Sequence, residues 1–230
     1  MTAQAEGILL VNKQPGKTAF SLVAMLRRRL GVKTIGHAGT LDPFATGVMV
    51  MLIGKNFTRQ SNSFLNESKE YTARVHLGIE TDSYDCDGII TAENPYIPTL
   101  EQVKAVLQHF QGEIEQTPPM FSAKKQKGKK LYELARQGIE VERPPVKVTL
   151  ETTFLNYEYP HLDIKVSCSK GTYIRSIAFD LGRMLGCGGH LTKLERTRSG
   201  RFSIHECLDG MLLESETTDP QVIIKQLRPL

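Results

Sequence analysis

The chain has 230 residues, 40% of them hydrophobic, which is enough to bury a sizeable core. Its longest uninterrupted apolar run, Val48–Ile53, is too short to span a membrane, and the first residues, MTAQAEG, lack the features of a secretion signal. The 4 cysteines form no C-x-x-C pair, which argues against a disulfide framework. We therefore expect a cytoplasmic protein.

The net charge of +4 results from basic and acidic residues that are segregated along the chain. Three segments, 7–36, 118–148 and 165–201, carry 22 of the 29 basic residues and only 5 of the 25 acidic ones. This distribution predicts a basic face that binds a polyanion such as nucleic acid, with an acidic face elsewhere. The alternative, that folding scatters these charges over the surface, stays open at this point.

The first predicted elements are a strand over Gly7–Val11, a turn, and a helix capped by Thr18 and ended by Gly31. Apolar residues on one helix face predict which side is buried: Leu22, Val23, Leu26 and Leu30. A strand, a turn and Gly16-Lys17-Thr18 also suggest a phosphate-binding loop. However, Val11 stands where that motif requires its first glycine, and Pro15 removes a backbone N–H, so nucleotide hydrolysis is disfavoured.

The stretch Gly36–Gly54 places one carboxylate, Asp42, in a glycine-rich bend whose exit Pro43 restricts. The following run, Val48–Ile53, predicts a buried strand. An aspartate at such a bend either satisfies its own backbone in an Asx-turn or serves chemistry, and local sequence leaves both interpretations open. Catalysis would require other groups to act with Asp42.

The middle of the chain alternates between predicted strands and helices. Residues 71–77 alternate with Tyr71, Ala73, Val75 and Leu77 on one face, which predicts a half-buried strand. Residues 81–88 resemble a calcium loop superficially, but Asn94 occupies the position of the required glutamate, so we interpret the segment as a turn. Thr99 with Gln102 predicts a capped helix over residues 99–110.

The second half contains the basic segment 118–148 and a predicted strand and helix. Five lysines in a predicted loop indicate a mobile basic arm, since few apolar residues anchor it: Lys124, Lys125, Lys127, Lys129 and Lys130. A strand is predicted over Leu162–Cys168, and Thr172 is predicted to cap the next helix. Arg175 falls in the first turn of that helix, where the helix dipole disfavours a cation, so we expect a carboxylate partner.

A metal site is the remaining chemical possibility. Cys187 and His190 are followed by His205 and Cys207, but the gap between the two pairs matches no recognised zinc spacing. We interpret the cysteines as small core thiols and predict no metal and no cofactor.

The string GHAGTLDPFATG around Asp42 strongly resembles the catalytic-aspartate motif of the TruB family of tRNA pseudouridine synthases. The resemblance runs from about Gly7 to Gly210 and includes four further motifs: residues 12–19 with Lys13, Gly16 and Thr18; Lys69-Glu70-Tyr71 with Leu77-Gly78; residues 170–177 around Arg175; and residues 186–200 with Leu194.

The resemblance implies roles for these residues. It makes Asp42 the nucleophile, Tyr71 the active-site tyrosine and Arg175 the arginine that pairs with the catalytic aspartate. It places Lys13 in the family's first motif and Leu194 in the active-site wall, and has His37 fill the space left by a flipped nucleotide. It also implies that the basic insertion, with its five lysines, closes over RNA.

The resemblance further implies an α+β fold with a mixed, mostly antiparallel sheet flanked by helices. We predict a catalytic domain over residues 1–210 with the basic insertion at about 118–148. Residues 211–230 would form a short tail in place of the further RNA-binding domain that family members usually carry. The implied reaction converts uridine 55 of the T-arm loop of tRNA to pseudouridine, and we expect a monomer whose partner is tRNA.

Two other classes of function stay open. A non-catalytic protein that binds or folds tRNA would fit the charge distribution equally well, although the presence of Asp42, Tyr71 and Arg175 argues against it. A glycoside hydrolase would require a second carboxylate opposite Asp42, and none is placed in these motifs.

Overall fold

The computed structural model describes residues 5–126, 128–215 and 217–230. Its strands are β1 Gly7–Lys13, β2 Ile35–Ala38, β3 Thr46–Ile53, β4 Lys69–Leu77, β5 Ile79–Thr81, β6 Ile90–Glu93, β7 Gln111–Gln116, β8 Lys125–Gln126, β9 Lys129–Lys130, β10 Val146–Glu158, β11 His161–Cys168, β12 Gly189–Ser199, β13 Phe202–Ser203 and β14 Leu208–Asp209. Its helices are α1 Ala19–Leu30, α2 Lys55–Thr58, α3 Ser61–Asn66, α4 Leu100–Leu107, α5 Leu131–Ala135, α6 Ile174–Met184, α7 Met211–Glu214 and α8 Pro220–Ile224, with a 3-10 turn at Ile204–Glu206.

The chain divides into two compact units. The first unit comprises Met1–Tyr71 with Leu194–Leu230, and the second comprises Thr72–Lys193. Strands β4 and β12 belong partly to each unit. The domain boundary at residue 210 stays a prediction.

The first unit is organised around β3, whose residues from Val48 to Ile53 have no solvent exposure, as the apolar run predicted. Strands β1 and β2 pair with β3 in antiparallel orientation and β12 pairs with it in parallel orientation, while β14 lies parallel to β1. Ile8 faces Leu52 and Leu10 faces Val50 in this register, so their side chains form the core together with Phe64 and Phe202. Burial of these apolar groups is the main stabilising contribution.

Helix α1 begins and ends as its sequence predicted. The Thr18 hydroxyl accepts a hydrogen bond from the Ser21 amide, and Gly31 ends the helix at φ 66° with its amide donating to the Arg27 carbonyl. Leu22, Val23 and Leu26 are buried, whereas Leu30 is partly exposed, so the predicted apolar face is confirmed except at its last residue. The capped helix thereby packs onto the first unit through that face.

The second unit contains the neighbouring strands β4, β11, β10 and β7, of which β10 is antiparallel to both β11 and β7. Burial alternates strictly along β4, which confirms the predicted half-buried strand. Thr99 and Gln102 form a reciprocal cap at α4, and Val103 and Leu107 are buried. Leu100, at the start of that helix, is 37% exposed, and the helix ends at Leu107, before the predicted end at residue 110.

Two local predictions in the second unit are wrong. Tyr173, not Thr172, is the N-cap residue of α6, because the Thr172 hydroxyl instead donates to the Ser169 carbonyl at 3.0 Å. The lysine-rich segment is not an irregular loop, since Lys125–Gln126 and Lys129–Lys130 pair as a short antiparallel hairpin. Both differences arise from backbone contacts that residue preferences do not specify.

The architecture is a mixed, mostly antiparallel sheet flanked by helices, which confirms the predicted α+β class. Within the described part of the chain, no helix combines the length and apolar character needed to cross a membrane.

Candidate active site

Asp42 lies in the first unit, in the loop between β2 and β3, and is half-buried. Its carbonyl accepts a hydrogen bond from the Ala45 amide at 3.1 Å, which forms the turn that the Asp-Pro pair predicted. The carboxylate therefore stands on a short, bent segment directly before the most buried strand of the unit.

Lys13 secures this loop from one side. Its side chain has no solvent exposure, and Nζ donates to the carbonyls of Gln14 at 3.0 Å, Lys17 at 2.8 Å and Pro43 at 3.0 Å. The Gly16 amide donates to the same Pro43 carbonyl at 2.8 Å. A buried ammonium that donates to three carbonyls replaces lost hydration with fixed dipoles, so the turn after β1 and the Asp42 loop are held together.

Arg196, on β12, secures the loop from another side, and the sequence analysis did not identify it. It is 1% exposed, with Nε 2.7 Å from the Val48 carbonyl and Nη2 3.1 Å from the Gly39 carbonyl. The alternation along β12 could have revealed it, because Arg196 is two residues beyond the buried Leu194 and shares its face.

Gly47 permits the close approach of β12 to β3. It has φ 103°, which disfavours other residues, and a Cβ placed there would collide with the backbone of Arg196. Gly47 and Arg196 are direct register partners in the parallel pair. The glycine is therefore required where the strand that carries the buried arginine meets the strand that follows Asp42.

His37 lies on β2 opposite Met51 and is half-buried, so it belongs to a strand and not to a turn. Its Nδ1 is buried and makes no hydrogen bond within the described residues. Burial, and secondly the positive charge of Arg196, lower the pKa of His37 below its ordinary value. The imidazole is therefore neutral at neutral pH.

The predicted residues Tyr71 and Leu194 also belong to the first unit and are 9% and 6% exposed. Tyr71 lies on the buried face of β4 and Leu194 on the buried face of β12. The first unit thus contains five of the predicted site residues, namely Lys13, His37, Asp42, Tyr71 and Leu194.

Arg175 lies in the second unit, at the start of α6, and is 3% exposed. Its Nη1 lies 3.3 Å from Oδ2 of Asp85, and its guanidinium donates to the carbonyls of Ser83 and Phe121, each at 2.8 Å. The helix-dipole argument predicted a carboxylate partner, and the structure provides one in Asp85. The charge of that carboxylate offsets the unfavourable position of a cation at the helix N-terminus.

Asp85 is itself fixed by its turn, which sequence analysis interpreted only as a turn. Oδ1 accepts hydrogen bonds from the Ser83 hydroxyl at 2.5 Å and the Asp87 amide at 3.1 Å. The Thr81 hydroxyl donates to the Asp85 carbonyl at 2.8 Å. These contacts hold a buried carboxylate in one orientation, so Arg175 is held in turn.

The lysine hairpin, defined as residues 124–130, lies in the second unit, and Lys127 falls outside the described residues. Lys125 and Lys129 are exposed, and Lys125 stands directly opposite Lys130, so like charges face each other across the pair. The buried Leu131 follows the hairpin, and its amide donates to the Lys124 carbonyl at 2.9 Å. Lysines on an anchored hairpin that repel one another favour an anionic partner.

Two family models match the chain. Residues 27–174 match the model described as TruB family pseudouridylate synthase (N terminal domain), and residues 175–230 match the one described as tRNA pseudouridylate synthase B C-terminal domain. Together the two models cover the chain from residue 27 to its last residue.

Proteins similar to this chain are named tRNA pseudouridine synthase B. The chain is 63% identical over 220 residues to tRNA pseudouridine synthase B of Protochlamydia amoebophila (strain UWE25), covering 96% of this chain and 84% of that protein. It is 61% identical over 214 residues to tRNA pseudouridine synthase B of Chlamydia pneumoniae, covering 93% and 91%. A chain in the crystal structure of a Cbf5-Nop10-Gar1 complex is 27% identical with a TM-score of 0.75, and the match covers 98% of this chain and 60% of that one.

Proposed function

Because the chain belongs to the TruB family of tRNA pseudouridine synthases, which are isomerases, we propose that it converts uridine 55 in the T-arm loop of tRNA to pseudouridine. The observation that carries this proposal is the 63% identity, over 220 residues, to a protein named tRNA pseudouridine synthase B. We further propose that the enzyme acts as a monomer in the cytoplasm.

The reaction rearranges bonds within the substrate. The bond between the uracil N1 and the sugar breaks, the base rotates, and a bond from C5 to the same sugar carbon forms. C5 loses a proton and N1 gains one, so atoms and electrons balance without an external oxidant, reductant or nucleotide. We propose that Asp42 acts as the nucleophile and is released unchanged.

The contacts of the Asp42 loop support this role. A nucleophile accelerates a reaction most when it is already held near its attacking position, and the loop is tied to two buried cations, Lys13 and Arg196. Lys13 has no exposed surface, so we propose that it positions the loop instead of contacting RNA directly.

The target base must leave its stack to react, which costs a few kcal/mol. We propose that Tyr71 stacks on the flipped uridine, that Leu194 contributes to the wall around it, and that His37 fills the vacated space in the RNA loop. Arg175 supplies a cation for the carboxylate chemistry, and Asp85 holds that cation in orientation. The lysine hairpin binds phosphates and closes over the RNA.

The experiment uses tRNA that carries tritium at C5 of its uridines. Isomerisation must release this label to water, so we expect release from wild-type transcript and none from a transcript with cytidine at position 55. Filter binding of both transcripts provides the control. No release from any tRNA, with binding retained, would favour the alternative of a non-catalytic tRNA-binding protein.

A further inference from the structure

We infer that Arg196 is a positioning residue whose guanidinium holds both ends of the loop that carries Asp42 and so determines where the carboxylate stands. The inference rests on the proposed function and deepens it, because it explains what keeps the nucleophile in place. Arg196, the loop and Asp42 all belong to the first unit.

The Arg196 guanidinium contacts backbone carbonyls on both sides of Asp42 in the sequence. Before Asp42, Nη2 contacts the Gly39 carbonyl at 3.1 Å and Nη1 the Thr40 carbonyl at 3.5 Å. After Asp42, Nε donates to the Val48 carbonyl at 2.7 Å. One rigid planar group therefore fixes the spacing between the start of the loop, directly after β2, and the first residues of β3, directly after the loop.

The charge of Arg196 is offset by dipoles and not by an acid. Within the described residues its contacts are carbonyls and the Met49 sulfur, at 3.2 Å, and no carboxylate pairs with it. A buried cation that has dipoles but no carboxylate beside it is still costly for a fold, and an apolar side chain of similar size would avoid that cost. The presence of arginine here is explained if its three-point hold on the loop is needed for function.

His37 provides an independent readout of the same group. The positive charge of Arg196 is the second cause, after burial, of the lowered pKa of His37. A substitution that removes the charge should therefore raise the pKa of His37, whereas one that keeps the charge but loses the planar fork should leave it low. The two properties of Arg196 can thus be separated.

Two variants and a matched control test the inference. Arg196→Lys keeps the charge but reaches only one end of the loop, and Arg196→Gln removes the charge. Arg198→Lys makes the same chemical change two residues along β12, where the guanidinium donates to Gly200 at 3.0 Å and not to the Asp42 loop. Each protein is assayed for single-turnover rate at saturating tRNA, for tRNA affinity, and for the pKa of His37 by NMR.

We expect Arg196→Lys to lower the single-turnover rate by about a hundredfold, since a displacement near 1 Å can have that effect, with tRNA affinity within about twofold of wild type. Arg196→Gln should slow the reaction similarly and raise the pKa of His37, and Arg198→Lys should match wild type. A near-normal rate in Arg196→Lys, or a loss confined to tRNA affinity, would overturn the inference.

A measurement on the unaltered protein covers the case in which the variants do not fold. The measurement is amide hydrogen exchange. If Arg196 holds the loop, the free energy of opening at the Ala45 amide should be as large as that of the amides in β3. Exchange of Ala45 through a much cheaper local opening would show that the loop is not clamped. Neither this measurement nor the His37 titration requires turnover. If the proposed reaction is wrong, no tritium is released; if the inference is wrong, the hydrogen exchange of Ala45 is fast whether or not tritium is released.

Discussion

The Asp42 loop and the lysine hairpin use positive charge in opposite ways. Lys13 and Arg196 are at most 1% exposed and direct their charge inward onto backbone carbonyls. Lys125 and Lys129 are exposed and direct theirs toward solvent. All four residues belong to the basic segments of the sequence and count equally toward a predicted basic face. Only Lys125 and Lys129, however, are exposed and can contact a phosphate.

The difference separates two requirements of one enzyme. The proposed chemistry requires a fixed carboxylate, and buried charge-assisted hydrogen bonds provide rigidity at the expense of desolvation. Binding of RNA requires exposed, adaptable cations whose counterions are released on contact. The predicted basic face is therefore weaker than the sequence suggested, since Lys13, Arg175 and Arg196 are interior residues.

The largest effect is expected from Asp42→Asn. The amide keeps the shape of the side chain but cannot act as a carboxylate nucleophile, so tritium release should become undetectable while tRNA affinity stays within about twofold. Turnover near wild type would remove Asp42 from its proposed role. Such a result would also show that the rigid loop serves something other than catalysis.

A smaller but substantial effect is expected from Asp85→Asn, which removes the negative charge of Asp85 beside Arg175. Loss of one partner of a buried pair destabilises a protein by about 3–5 kcal/mol, and the loosened arginine should lower kcat by roughly tenfold to a hundredfold. Kinetics are measured well below the melting temperature, with the exposed Asp87→Asn in the same turn as control. An unchanged kcat with a lowered Tm would make the pair structural only.

Replacement of the five hairpin lysines by glutamine should affect binding instead of chemistry. Each lost phosphate contact reduces the log–log dependence of affinity on salt by roughly 0.7 to 0.9, so we expect a slope flatter by several units. KM should rise with little change in kcat, because Asp42 and Tyr71 are untouched.

Replacement of the exposed Lys104 and Lys225 by glutamine provides the control for general charge loss. If the five-fold variant binds tRNA with the same affinity and the same salt slope as wild type, the lysine hairpin does not hold the RNA. The basic segment at residues 165–201 would then be the next surface to test.

The smallest effect concerns the pH dependence of stability at a cluster of three histidines in the second unit. His76 lies 5.3 Å, ring centre to ring centre, from both His161 and His190, and burial and then these neighbours lower its pKa from 6.5. The unfolded chain therefore binds the proton more readily, so this contribution to stability is present above about pH 6.5 and is lost as pH falls below it.

His76→Gln should accordingly reduce the fall in the free energy of unfolding between about pH 8 and about pH 5.5, measured by urea titration. His37, whose pKa is also lowered, leaves a residual dependence in that variant. An identical pH dependence in the variant and in wild type would show that the histidine cluster does not contribute.

Much of the fold could be predicted because its signals are local. Thr18 and Gly31 bound α1, the run Val48–Ile53 forms the buried β3, and Tyr71 belongs to the alternating face of β4, and each of these features is signalled by residues close together in sequence. The candidate site was identified only by the length of the motif around Asp42, since an aspartate before a proline is by itself ambiguous. The cap of α6 was missed because Thr172 found a competing carbonyl.

The sequence by itself determined which residue types are present, the caps of α1 and α4, the buried strand β3, and that Arg175 requires an acid. Only the tertiary structure decided that Asp85 is a partner of that arginine and that Arg196 donates a hydrogen bond to the carbonyl of Gly39, 157 positions away. The physical reason is that a side chain's periodicity specifies which face it occupies but not what stands opposite. For buried charges, the groups that replace water are distant in sequence and are brought together only by folding.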